Sequence, residues 1–303
     1  MFDINSCNLC ARRCSVDRYR KTGFCRIDDK LYVSAICIHK GEEPVLTGEN
    51  GVCNVFFDHC NLQCLYCQNY QISNNAVCVK HDEMSLQSCY EKIAEILDQG
   101  CSMLGLVSPT PYLHHIESVV DMLYKNNYYP TIIYNTNGYD NVEIIRSLKD
   151  IVDVYLPDYK YGSYDLARDL SRAEDYPDVA LDAVKEMVRQ KGLELKIDEN
   201  GLATEGVIVR HLVLPGQVEN SKSALLNLST EISSDVVVSL MSQYYPTYNS
   251  YTYPDLSRKI SAEEYEEVTQ FMYSLGMTNG WTQSYDSSEV FKPDFSDSEV
   301  FKS

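Results

Sequence analysis

Apolar and polar residues follow one another in a repeating order along the chain: a short apolar run, a polar break, then an apolar stripe at helical spacing. VCNVFF (52–57) is a β-prone run that leads straight into a cysteine loop. Residues 85–99 carry Ile93, Ile96 and Leu97 at helical spacing, and Gly100 ends that segment as a helix C-terminus does. Buried-type strands follow at 101–107, ending in Ser-Pro-Thr-Pro, at 131–135, ending in Thr-Asn-Gly, and at 151–157, ending in Asp-Tyr-Lys-Tyr. Two more lie at 206–215, ending at Pro215-Gly216, and at 236–241, ending at Ser-Gln-Tyr-Tyr-Pro. Helical stripes are predicted at 112–127, 141–149, 177–191 and 221–233, and at 261–276, which opens on the start signal Ser261-x-x-Glu264.

Six strand-then-helix units in order predict a parallel sheet with crossover helices. The strands read as continuous apolar runs, as in a sheet covered on both faces. Six units fit an α/β fold of the open, partial (β/α)6 barrel kind, with a doubly wound sheet as the other arrangement. In both, chemistry belongs at the C-terminal ends of the strands. The organisation expected is a Cys-rich extension at 1–48, a barrel at 49–283 and a tail at 284–303. In the tail, DSSEVFKPDF (286–295) nearly repeats as DSEVFKS (297–303). It is acidic and short of apolar residues, which predicts disorder or a peptide-like docking segment.

The 303 residues are 44% apolar and 23% charged, an ordinary globular composition. No run of 18 apolar residues exists, so a membrane span is not expected. The N-terminal MFDINSCNLCARRC has no apolar stretch of signal-peptide length, and the expectation is a cytoplasmic protein. The formal charge of −18 argues against non-specific nucleic-acid binding, though it allows a local basic patch. Twelve cysteines all lie in the first third of the chain. With no export signal, they point to metal or cluster ligation rather than to disulfides.

Residues 60–67 read Cys60-Asn-Leu-Gln-Cys64-Leu-Tyr-Cys67. Three thiolates in one tight loop can hold three irons of a cubane and leave the fourth open, whereas structural zinc uses four protein ligands. This C-x3-C-x-aromatic-C loop after a first strand resembles the radical S-adenosylmethionine (SAM) superfamily. The wider chain looks like the pyruvate formate-lyase-activating-enzyme-like (PflX-type) proteins through GEEPVLTG, CNLQCLYCQNYQIS, YNTNGYD, VDVYLPDYKY, RHLVLPG and MSQYYP, over about residues 5–283.

The resemblance implies that Cys60, Cys64 and Cys67 bind a [4Fe–4S] cluster whose open iron is chelated by SAM. Tyr66 would pack near the adenine. Asp158 and Lys160 would help to hold SAM, and Arg210 would pair with its carboxylate. Ser108, Pro109 and Thr110 stand where the superfamily has Gly-Gly-Glu, and Asn135 stands where activating enzymes carry Asp. A histidine near the end of the sixth strand is absent, and Gln243 is the nearest polar residue. The residues alone also allow a simple Asp158–Lys160 ion pair, a structural Arg210, and Ser108 and Thr110 as helix caps. The tyrosines at 244, 245, 248, 251 and 253 read as packing or surface residues, or as a substrate wall.

The activity implied is one-electron reductive cleavage of SAM to methionine and a 5′-deoxyadenosyl radical, which takes a hydrogen atom from a substrate. That substrate would be a glycyl-radical enzyme, an unrelated peptide or a small molecule; flavodoxin or ferredoxin would supply the electron. A non-catalytic iron–sulfur electron carrier is the reading from another class. At the N-terminus, Cys7-x2-Cys10-x3-Cys14-x10-Cys25 suits a closed four-ligand site for a second cluster or for zinc, or no metal. Cys37, Cys53, Cys78, Cys89 and Cys101 show no ligand spacing and read as packing.

Overall fold

The computed structural model describes residues 2–76, 82–285, 287, 293–297 and 300–301. Nine strands are present among them: β1 (Val33–His39), β2 (Val52–Phe57), β3 (Met103–Val107), β4 (Thr131–Thr136), β5 (Val154–Pro157), β6 (Lys196–Ile197), β7 (Ala203–Leu212), β8 (Val237–Met241) and β9 (Gly280–Thr282). The helices are α1 (Pro44–Thr47), α2 (Tyr70–Ser73), α3 (Leu86–Leu97), α4 (Leu113–Lys125), α5 (Val142–Ser147), α6 (Tyr164–Ser171), α7 (Tyr176–Lys191), α8 (Val218–Glu231) and α9 (Ala262–Ser274).

The six expected strands pair in parallel and in strict chain order, β2-β3-β4-β5-β7-β8. A doubly wound sheet would reverse its order at a switch point. Sequential order is that of a barrel, and six strands make a partial one. Helix starts follow the local chemistry. Ser85, Asn141 and Ser163 cap α3, α5 and α6 with their side chains, and Ser261 and Glu264 form the expected reciprocal box on α9.

Several elements were not legible in the pattern, β1, β9 and α6 among them. β1 pairs antiparallel with β2, so part of the expected extension belongs to the sheet. β9 runs parallel beside β8, and α6 follows β5. Some of the described tail residues are packed. Phe295 and Phe301 pack on Phe56 at ring distances of 5.3 and 5.7 Å, and Val300 is buried. Few as they are, these apolar side chains find a partly open apolar patch of Phe56, Ile72 and Val107.

Alternation along the strands sorts their side chains into two sets. Cys53, Val55, Leu104, Leu106, Ile132, Tyr134, Val207, Val209, Val238 and Leu240 join the large core shared with the helices. The intervening Val52, Met103, Ile133, Val154, Ile208 and Val237 form a separate cluster inside the barrel, each three or more residues short of its strand's C-terminal end. Two or more residues further along the same face come Phe56, Val107, Asn135, Asp158, Arg210 and Ser239. The interior is therefore apolar at the bottom and largely polar at the top. Cys53, Cys89 and Cys101 are buried in packing, as expected, and Cys37 is half-buried; Cys78 lies outside the described residues.

Candidate active site

The C-terminal ends of the strands open on a cavity of about 450 Å³. Cys60, Cys64, Cys67, Tyr66, Ser108, Asn135, Asp158, Lys160, Arg210 and Gln243 all line it, so chain segments from 60 to 243 converge at one place. Thr110 does not line it. Its hydroxyl donates to buried Asp140 at 2.7 Å and meets the Tyr134 hydroxyl at 2.9 Å, so it belongs to the support behind β4. Neither Ser108 nor Thr110 caps the following helix. Ser108 instead turns the chain at φ 56 as it leaves β3.

The cysteine loop is shaped by left-handed residues at His59 and Gln63 (φ 63 and 69), each just before a cysteine. The Gln63 amide donates to the carbonyls of Cys60 (3.2 Å) and Ser73 (2.7 Å) and closes the loop on itself. Leu65 N–H donates to the Leu170 carbonyl at the end of α6. Each sulfur has a polar neighbour: Asn137 Nδ2 donates to Cys60 Sγ (3.3 Å), Ser171 Oγ to Cys64 Sγ (3.1 Å), and Ser73 Oγ lies 3.0 Å from Cys67 Sγ. Such contacts orient thiolate ligands and tune a cluster's potential. Burial pushes the Cys67 thiol up to about 12 and raises Cys64, against which the Lys160 charge works. Metal binding would displace those protons.

Tyr66 is buried, edge-on to Tyr161 and Tyr244. Tyr244 donates to the Leu256 carbonyl at 2.6 Å and is a packing residue, while Tyr251 is exposed. Lys160 Nζ and Asp158 Oδ2 form a half-buried pair at 2.6 Å facing the cavity. Arg210 is paired within the protein. Its Nε donates to Glu43 Oε1 at 2.8 Å, and Nη2 bonds both Glu43, at 2.5 Å, and Glu42. The guanidinium is thus engaged by two protein carboxylates. Burial works against the Arg210 charge, but those carboxylates overrule it and raise its pKa further.

Sequence reasoning missed five contributors: Glu42, Glu43, Asn137, Ser73 and Ser171. Glu42, Glu43, Ser73 and Asn137 lie inside stretches that carried the resemblance, GEEP, CNLQCLYCQNYQIS and TNG, which was the signal available. Ser171 ends a helix that the apolar pattern did not show.

A cavity with three hydrogen-bonded thiols at one wall and a cation–carboxylate pair at another fits a cluster and a zwitterionic cofactor. Residues 54–226, more than half of the chain, match the Radical SAM superfamily. The chain belongs to this superfamily. Membership implies a [4Fe–4S] cluster and SAM, and makes the chain a radical SAM enzyme by family. It is 31% identical over 277 residues to an uncharacterized protein, MJ0674, of Methanocaldococcus jannaschii, covering 88% of this chain and 74% of that protein. Among solved structures it is similar to the FeFe-hydrogenase maturase HydG from Carboxydothermus hydrogenoformans (TM-score 0.52, 16% identity, 74% of this chain and 50% of that one). It is also similar to Streptococcus suis SuiB bound to precursor peptide SuiA (TM-score 0.51, 11% identity, 75% of this chain and 47% of that one). The chain spans about half the length of these two structures, and at such identity they show the shared fold. No helix among the described residues is long and apolar enough to cross a membrane.

Proposed function

We propose that Cys60, Cys64 and Cys67 hold the [4Fe–4S] cluster and that the cavity above them holds SAM and abstracts a hydrogen atom from a protein or peptide substrate, with a glycyl-radical enzyme as the first candidate. The observation that carries this reading is the convergence of the three thiols with Asp158, Lys160 and Tyr66 on one cavity. When bound and reduced, the cluster would supply one electron for homolytic cleavage of the SAM carbon–sulfur bond.

The residues do the rest. Asn137, Ser171 and Ser73 fix the sulfurs. Lys160 offers an ammonium to a carboxylate, and its partner Asp158 keeps it charged. Tyr66 offers an apolar wall. Phe56, Val107 and Phe301 line the same cavity and help to keep water out. The chain's own tail lies at that cavity through Pro293 and Phe301, so a polypeptide segment has room there. This supports a protein or peptide substrate over a small molecule, as does the precursor peptide bound by SuiB. A flavodoxin or ferredoxin would deliver the electron, and the chemistry suits a reducing, cytoplasmic setting.

The test is anaerobic reconstitution, reduction and SAM addition, with 5′-deoxyadenosine measured for wild type and for Cys64→Ala. Product from wild type alone is the expected result. An electron carrier would have no need of SAM, so a reconstituted chain that does not bind SAM in a titration sinks the enzyme reading. Mixing with a glycyl-radical enzyme should produce a glycyl doublet in electron paramagnetic resonance; its absence with active protein removes that substrate class.

A further inference from the structure

We propose that Cys7, Cys10, Cys14 and Cys25 form a second, closed metal site that takes one zinc-type divalent ion. None of these four thiols lines the SAM cavity.

All four thiols, contributed from across 19 residues, line one small cavity of about 20 Å³ together with Arg12, Val16, Arg18, Gly23 and Phe24. That is room for about one water-sized body, enough for a single ion and too little for a four-iron cubane. The backbone is already bent around the sulfurs. Arg13 and Ser15 are left-handed on either side of Cys14 (φ 43 and 51), and Arg26 is left-handed after Cys25 (φ 57). Phe24 N–H donates to Cys14 Sγ at 3.4 Å, and a Cβ on Gly23 would stand 2.9 Å from that sulfur.

The second observation is electrostatic. Arg18 is fully buried, yet its guanidinium bonds only carbonyls, of Asp28 (2.9 and 2.5 Å) and Pro111 (2.6 Å). Arg12 likewise bonds only carbonyls. Neither has a carboxylate partner among the described residues. Buried charges are normally paired, because an isolated one is costly. A divalent ion with four thiolates carries net −2, which matches two guanidiniums. Binding converts four thiols to thiolates and releases four protons, with no redox change. Among the described residues no three His, Cys, Asp or Glu side chains are yet drawn together as ligands of one ion. Closure therefore needs the cysteine side chains to rotate onto it, a change between ordinary staggered states.

The site would position the catalytic loop through Arg12, which lies between Cys10 and Cys14. Its guanidinium sits over the rings of Phe24 (3.9 Å) and Tyr139 (4.9 Å). It donates to the carbonyls of Asn61 (3.0 Å) and Leu62 (3.2 Å), within the Cys60–Cys64 segment, and to those of Ser171 and Arg172.

The test is metal content of protein purified without oxygen, in a variant with Cys60, Cys64 and Cys67 all changed to Ala. About one zinc per chain should remain, and should fall at least five-fold when Cys10→Ser and Cys25→Ser are added. Alkylation of the wild-type chain with mass mapping gives a reading independent of these variants: the four N-terminal cysteines should react only after a zinc chelator is added. Iron and sulfide in place of zinc would overturn the assignment of the ion. Metal-free protein with freely reacting thiols would overturn the site.

Discussion

Arg210→Met tests whether that guanidinium is held by protein carboxylates rather than kept for SAM. Its side chain is 13% exposed, and those of Glu42 and Glu43 are 9% and 6%, so three charges meet nearly out of water. Removing one partner of such a group costs about 3–5 kcal/mol. Glu42 shows the same coupling from the carboxylate side. Burial alone would push its carboxyl up, but the charges of Arg210 and His39 hold it at about 2, against an ordinary 4.5. A carboxyl depressed in the folded state adds stability above its unfolded value, and that stability is lost as pH falls through the folded one. In Arg210→Met the same carboxyl is buried without its main cation and titrates above 4.5, so its contribution changes sign and stability declines as pH rises. At about 2 °C per kcal/mol for a chain of this size, Tm at neutral pH should fall by roughly 6–10 °C, with the gap narrowing towards pH 5. Adding Glu42→Gln and Glu43→Gln should recover most of the loss, since neutral replacement of a whole buried ionic group is often tolerated. Thermal unfolding of the four proteins (wild type, Glu42→Gln/Glu43→Gln, Arg210→Met and the triple variant) across that pH range is the assay. A drop of under about 2 °C, unchanged with pH, would refute the buried triad and return Arg210 to the SAM carboxylate.

Lys160→Met should weaken SAM binding by about ten-fold or more, the scale of a lost charge-assisted contact, with iron content unchanged; equal affinity in a SAM titration would remove Lys160 from the cofactor site. Ser171→Ala withdraws the donor to Cys64 Sγ and should move the cluster's midpoint to a more negative potential in a redox titration. An unmoved potential would leave Ser171 as packing. Changing Phe295 and Phe301 to Ser should cost roughly 1–2 kcal/mol of the apolar contact with Phe56 and speed proteolysis of the C-terminus; an unchanged digestion rate would mean that the tail is not docked in solution.

The strand periods and the cysteine spacing made the barrel and its chemistry legible because both are local signals. All six parallel strands lie where the apolar runs place them, and Cys60, Cys64 and Cys67 need no tertiary information to be noticed. What the pattern hid was non-local. β1 is half-buried as an antiparallel edge, so VSAICIH lacks the uninterrupted burial of its neighbours and was absorbed into a cysteine-rich extension. α6 has a low mean apolar content, with only one face buried, and was passed over with its Ser171. Thr110 is the reverse case. Its place in the motif suggested the cofactor, but the turn after Ser108 rotates it towards Asp140. Arg210 was placed correctly on the strand, yet its partners lie 167 and 168 residues away in the chain, a distance no spacing rule spans.

Those distant partners bear on how a partial barrel holds its shape. Eight strands close a barrel by hydrogen bonding the last to the first; six parallel strands leave that side without a ladder. β1 and β9 cover the two outer edges, one antiparallel to β2 and one parallel to β8, which protects them but joins nothing across the mouth. Glu42 and Glu43 lie in the connection between β1 and β2, and Asn54 of β2 donates to Glu42 at 2.9 Å. Their bonds to Arg210 therefore tie the first parallel strand to the fifth through the interior. Two carboxylates against one guanidinium also leave one negative charge at the cavity wall. A site that must admit a sulfonium and exclude water gains from both properties. The same three side chains stiffen the open mouth and bias its field.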